Sequence, residues 1–295
     1  MISRVTNQTM MQSAQRNLQA NAARLADLQD RASTQKLITR PSDDPTATGS
    51  AMQVRGQQAA TAQYSRNIDN GNAWLNTIDS ALGNSTNILR RAKDLAIQGA
   101  SDTLTPAARE SIATELDGLS KDLLSQANTT VMGRSVFAGN SNAPAAFDNS
   151  TPPAYTGVSG STVDRRVGEN QTVRVDADGA AAFGTGATSA FKVLADMATD
   201  LRSGLNTSTH LDALSSSLDR VTNQRADIGT RQAQLLRAQD LNMADKGKLE
   251  AQRSGIEDAD LSKTVLDLHL QENNYQAALA ITAKVLPMSL MDFLK

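Results

Sequence analysis

Apolar residues recur at three- and four-residue steps along most of this chain. Near the start the series Met11, Ala14, Leu18, Asn21, Leu25, Leu28, Ala32 outlines a coiled-coil seam. Ala and Asn weaken it at positions where Leu would bury more. A second seam keeps strict sevens: Val54, Thr61, Ile68, Leu75, Leu82, Leu89, Ala96, with Tyr64, Ile78 and Ala92 interleaved. It predicts one long helix after Pro45. "TLTPAARE" then offers Thr105 as N-cap with Pro106 at the first helical position, followed by an apolar face at Ile112, Leu116, Leu119 and Leu123. Helical spacing returns at Phe191, Leu194, Met197 and Leu201 and continues through Leu211, Leu214, Leu218, Val221, Ile228 and Leu235. A final helix carries Leu261, Val265, Leu268, Tyr275, Leu279 and Leu286.

Between Asn128 and Thr188 the pattern breaks, and that stretch holds 8 of the 18 glycines and 3 of the 7 prolines, which marks it as non-helical. In "QTVRVDADGAAAF" the alternation puts Val173 and Val175 on one face, and Asp178-Gly179 reads as a hairpin turn. The expected fold is mainly α with a small β insertion: an elongated antiparallel helical bundle or coiled coil around a β-rich central domain. Its expected segments are an N-terminal coiled-coil stretch (1–45), a helical bundle in two parts (46–132 and 189–255), a β-rich domain (133–188) and a C-terminal coiled-coil stretch (256–295). An amphipathic stripe is unstable alone in water, so the helical halves are expected to return to one another.

Composition supports thin helical packing, since aromatics make up only 3% and burial must come from Leu, Ile, Val and Ala. Net charge is -2, which gives no polyanion-binding surface, and nucleic acid is not an expected partner. Residues 1–60 carry net +3 and residues 256–295 net -3, a mild complementarity suited to paired terminal helices. With no Cys and two His, thiolate chemistry is absent, and a metal site would rest mostly on carboxylates. No window approaches the roughly 18 apolar residues of a membrane span, so no membrane partner is expected.

The stretch "RPSDDP" at Arg40–Pro45 is the strongest candidate for chemistry. Pro41 disfavours helix at Arg40, so the first helix is expected to end about there. Asp44 is placed to cap the next helix, with Pro45 at its first position. Asp43 and Asp44 are adjacent and point apart, and no further ligand is spaced to complete a metal site. Pro41, Asp43, Asp44 and Pro45 are therefore a bend and a cap. "DADG" lacks the glutamate of a calcium loop. No glycine-rich phosphate loop or nucleophile motif appears. No catalytic residue, cofactor or metal is expected.

Several stretches together resemble the flagellin superfamily. They are "ISRVTNQTMMQSAQRNLQANAARLADLQDRASTQKLITRPSDDPTATG", "QYSRNIDNGNAWLNTIDSALG", "LRRAKDLAIQGASDTLTPAARESIATELDGL", "ANTTVMGRSVFAG" and "IEDADLSKTVLDLHLQENNYQAALAITAKVLPMSLMDFLK". "PSDDP" favours the hook-associated branch over flagellin itself. The resemblance implies a non-enzymatic structural component of the bacterial flagellum, secreted through the flagellar export channel to the hook-filament junction. Its implied partners are copies of itself in a ring, another hook-associated protein below, flagellin above, and a cytoplasmic export chaperone on the C-terminal helix. Met11, Leu18, Leu25 and Leu28 would then serve a subunit interface, and Leu261, Val265, Leu268, Tyr275, Leu279 and Leu286 an interface or chaperone seam. Both ends are expected to order only on assembly. Pro287 is expected to kink the last helix. A short filament-forming flagellin and an intracellular coiled-coil scaffold are the alternatives.

Overall fold

The computed structural model describes residues 2–101 and 103–291; the side chains of residues 2–8 and 284–291 lie outside the description. The helices are α1 (Ile2–Thr34), α2 (Pro45–Gly99), α3 (Pro106–Ala127), α4 (Gly179–Phe183), α5 (Ala190–Arg202), α6 (Leu211–Glu257) and α7 (Leu261–Met291). Four short strands, β1 (Thr130–Val131), β2 (Arg134–Ser135), β3 (Asp164–Arg166) and β4 (Thr172–Arg174), lie between α3 and α4. The chain forms two compact units, residues 60–245 and residues 1–59 with 246–295, so α2 and α6 each contribute to both.

In the 60–245 unit the sevenfold seams become the core. Ile68, Leu75, Leu82, Leu89 and Ala96 of α2 are fully buried, as are Leu214, Val221, Ile228 and Leu235 of α6. Ile112, Leu116 and Leu123 of α3 and Phe191, Leu194, Met197 and Leu201 of α5 complete it. Each such Leu, Ile, Val, Phe or Met side chain contributes roughly 1.5–3 kcal/mol relative to exposure, which is why the period survives as structure. Thr61, the polar position in the α2 seam, lies where its backbone carbonyl accepts a 2.9 Å bond from Asn242 Nδ2, one seven-residue step beyond Leu235. Thr105 caps α3 as expected, its hydroxyl accepting from Ala108 N at 3.3 Å. Between helices, Arg202 reaches from α5 to Glu110 and Asp117 of α3.

The insertion holds less strand than its alternation suggests: two antiparallel two-stranded ladders, β1 with β2 and β3 with β4. Val173 and Val175 do turn to one buried face. Asp178-Gly179 is not a hairpin turn. Asp178 is the N-cap of α4, accepting from Ala180 N and Ala181 N, because its carboxylate satisfies free helix donors that a two-residue turn would not present. Asp176 is buried, accepts from Val163 N at 2.7 Å and pairs with Arg174 at 2.9 Å. The insertion also gathers its own aromatic core. Phe147 lies 5.0 Å from Phe191 and 5.8 Å from Phe183, and Phe137 lies 5.3 Å from Phe183, centroid to centroid. Few aromatics in the chain therefore means a concentrated set, not an absent one. Gly139 has φ +63°, and a Cβ there would lie 2.0 Å from Ser161 Oγ, so that turn requires glycine.

Candidate assembly surface

The unit formed by residues 1–59 and 246–295 contains the bend. α1 ends at Thr34, six residues before the expected stop at Arg40. Gln35 takes a left-handed conformation, φ 57°, which ends the helix without glycine. The chain is drawn off because residues 35–37 pair with the turn between α6 and α7. Leu37 N donates to Glu257 O at 2.7 Å, and Ala259 N donates to Gln35 O at 2.9 Å.

Both aspartates of the bend act on the backbone. Asp43 Oδ2 accepts from Arg40 N at 2.9 Å and from the Thr39 N–H and hydroxyl at 3.2 Å each. These bonds, the Arg40 N–H first, hold the Asp43 carboxyl below the ordinary carboxylate range. Asp44 Oδ1 accepts from Ala47 N at 2.9 Å, the expected cap on α2. One carboxylate points back and the other forward. Nearby, Arg55 donates to Glu257 Oε2 at 2.8 Å, and Arg253 bridges Glu250, Glu257 and Asp258. The opposite charges of the two chain ends meet at Arg55 and Glu257.

α1 and α7 run antiparallel, with Gln271 Nε2 donating to Asn21 O at 3.2 Å. α1 turns Ala14, Leu18, Asn21, Leu25, Leu28 and Ala32 inward, each only half-buried, whereas Met11 is exposed. On α7 the buried or half-buried positions are Thr264, Asp267, Leu268, Gln271, Glu272, Tyr275, Ala278 and Thr282. That row divides the expected C-terminal seam. Leu268 and Tyr275 belong to it, while Leu261, Val265 and Leu279 sit exposed at its flank; the Leu286 side chain lies outside the described residues. α7 carries its helical backbone through Pro287 to Met291.

Sequence reasoning missed a further row. Leu266, Leu270 and Ile281 are 60%, 54% and 63% exposed. At 3.6 residues per turn they fall within about 60° of one another, away from the α1-facing row. Their spacing was readable as a second helical stripe, but the stronger first stripe masked it. The α1–α7 pair thus half-buries a seam in which Ala, Asn, Gln and Thr interrupt Leu and Tyr, and leaves other large apolar residues uncovered, unlike the 60–245 core. Such a face needs a partner surface. Among the described residues no group of three or more His, Cys, Asp or Glu could hold a metal, and no helix is long and apolar enough to cross a membrane.

Long helices, exposed large apolar residues on α7 and an acidic bend whose carboxylates bind backbone are the features of a packing subunit. Residues 5–142 match the bacterial flagellin N-terminal helical region and residues 211–294 the bacterial flagellin C-terminal helical region. The chain belongs to the bacterial flagellin family: it is a structural component exported to the flagellum, not an enzyme, and it assembles with other flagellar proteins. Flagellar hook-associated protein 3 of Salmonella typhimurium is 25% identical to it over 98% of this chain and 99% of that protein. The flagellar filament 41 kDa core protein of Borreliella burgdorferi is 24% identical over 95% and 96%. A flagellar hook-associated protein of Vibrio parahaemolyticus shares the fold, with TM-score 0.67 and 20% identity over 73% of this chain and all of that one.

Proposed function

We propose that this chain is the adaptor at the hook-filament junction, a ring of identical copies with another hook-associated protein below and flagellin above, assembled outside the cell. The observation that carries this reading is the α1–α7 pair. Its internal seam is half-buried and rich in Ala, Asn, Gln and Thr, while Leu266, Leu270 and Ile281 stand uncovered. Neighbouring copies would bury that row together with Leu261, Val265 and Leu279, and Met11 at the far end of α1. Leu18, Leu25, Leu28, Leu268 and Tyr275 would stiffen the pair as it is enclosed, the ordering cost being met at assembly. Before export the same α7 row would be an aggregation hazard, which a cytoplasmic chaperone on the C-terminal helix would cover. The "PSDDP" bend supports the junction over the filament, and the full-length likeness to a hook-associated protein 3 agrees with that reading.

Labelling the protein and imaging isolated hook-filament structures tests the proposal: signal confined to the junction supports it, and signal along the filament contradicts it. Full-length likeness to a filament core protein favours a short flagellin as the second reading. Filament seeds separate the two. Sustained growth from the purified chain marks a flagellin, and a single capping layer marks the junction adaptor.

A further inference from the structure

The C-terminal end of α6 is weak as a helix. Its last turn, Ser254, Gly255, Ile256 and Glu257, carries no basic residue. Glu257 and Asp258 place two carboxylates at the negative end of the helix dipole, where cations are favoured. Gly255 is exposed, and a Cβ there would meet nothing within 4 Å, so the position keeps glycine's backbone freedom and gains no packing. Such an end frays unless something holds it.

A second joint depends on that end. Residues 35–37, leaving α1, lie along it as a strap. Leu37 N donates to Glu257 O at 2.7 Å, Ala259 N donates to Gln35 O at 2.9 Å, and Lys36 bridges Asp258 between them. The joint between α1 and α2 is thus fastened to the joint between α6 and α7. Arg253 holds the support in place. Its guanidinium spans Glu250 at 2.9 Å, Asp258 at 3.1 Å and Glu257 at 3.4 Å. A planar fork with five donors reaches three carboxylates at once, as a point-charge ammonium does not. Arg55 of α2 adds a second cation at Glu257, 2.8 Å away. Arg253 and Asp258 are 24% and 37% exposed, so salt reaches the network.

We propose that Arg253 is the key of an ionic latch that fastens the strap of residues 35–37 to the α6–α7 turn. With the guanidinium in place, the end of α6 stays helical and presents Glu257 O and Ala259 N to the strap. With it removed or screened by salt, Glu250, Glu257 and Asp258 repel one another at the wrong end of a helix dipole. The end of α6 then frays, and both joints open together. The latch stands on these contacts alone and does not depend on the assembly role above.

Residue-resolved amide hydrogen exchange by NMR, on the free full-length chain and on Arg253→Gln, tests it. In low salt the Leu37 and Ala259 amides of the variant are expected to exchange roughly fivefold faster than in the native chain, the upper range for a partly exposed ion-pair network. In about 1 M salt, where screening acts within roughly 3 Å, the two chains are expected to agree to within about twofold. The native chain carries the same test by itself, since its two amides should quicken together as salt rises. Unchanged rates at both amides in Arg253→Gln overturn the proposal. So does a change at only one of them, because the joints would then open separately. A difference between the chains that persists undiminished in 1 M salt also overturns it, since the hold would not be ionic.

Discussion

Replacing Leu266 and Leu270 by Gln separates assembly from folding. Both side chains are more than half exposed in the single chain, at 60% and 54%. Gln matches Leu in helix propensity to within a few tenths of a kcal/mol, so α7 itself is not weakened. Exposed substitutions of this kind shift stability by no more than about 0.5 kcal/mol each, about 1 kcal/mol for the two, and the melting temperature should move by no more than roughly 2–4 °C. On assembly the uncovered half of each side chain would enter an apolar contact. Full burial of a Leu contributes about 1.5–3 kcal/mol, so the half remaining contributes about 1–1.5 each and about 2–3 for the pair. At 1.4 kcal/mol per decade, the association constant should fall by a factor of roughly 30–150 per contact. Quantitative immunoblotting of isolated flagella counts the bound copies, and a thermal melt of the purified variant checks the fold. Normal copy number with normal melting would refute the reasoning, because the row would then face nothing. A melting drop beyond a few degrees would also refute it, since the row would then be packing within the monomer.

Leu82→Ala, at a fully buried seam position, should cost about 2–5 kcal/mol and lower the melting temperature by roughly 5–15 °C. Calorimetry reads that shift, and little change would mean the α2 seam is not the core. Asp44→Ala should cost about 0.5–2 kcal/mol in chemical denaturation, and Asp44→Asn almost nothing, because Asn caps as well as Asp. Equal losses would show that charge, not the cap to Ala47, sets its role. The Glu257 carboxyl is held below its ordinary range, first by the bond from Arg55 and against burial. Its contribution to stability is complete above the ordinary glutamate pKa of about 4.3 and is lost as pH falls through the lower folded value. The melting difference between the native chain and Glu257→Gln should therefore vanish below that window. A difference constant from pH 6 to pH 3 would contradict the ion pair.

What the sequence revealed depends on how much each residue buries. The α2 and α6 seams were legible because Leu75, Leu82, Leu89, Val221, Ile228 and Leu235 exclude water completely, and the seven-residue step is then enforced by energy. The Asp44 and Thr105 caps were legible because Pro45 and Pro106 follow them directly. The end of α1 was not, since Gln35 adopts a glycine-like conformation held by pairing with Ala259, more than two hundred residues away in sequence. Asp178 was misread because Asp-Gly serves a turn and a helix cap equally well, and only the three-dimensional course of the chain chooses. On α7 an apolar stripe cannot declare whether it faces its own chain or another. Thr264, Gln271 and Thr282 took inner positions opposite an α1 row that mixes Leu18, Leu25 and Leu28 with Ala14, Asn21 and Ala32.

Amide hydrogen exchange compared between the free chain and the same chain in assembled flagella tests the central claim most directly. The account predicts rapid exchange along α1 and α7 in the free chain, beside slow exchange in the α2 and α6 seams. It predicts strong protection of α1 and α7 once assembled. Equal, strong protection of both helices in the free chain would contradict it.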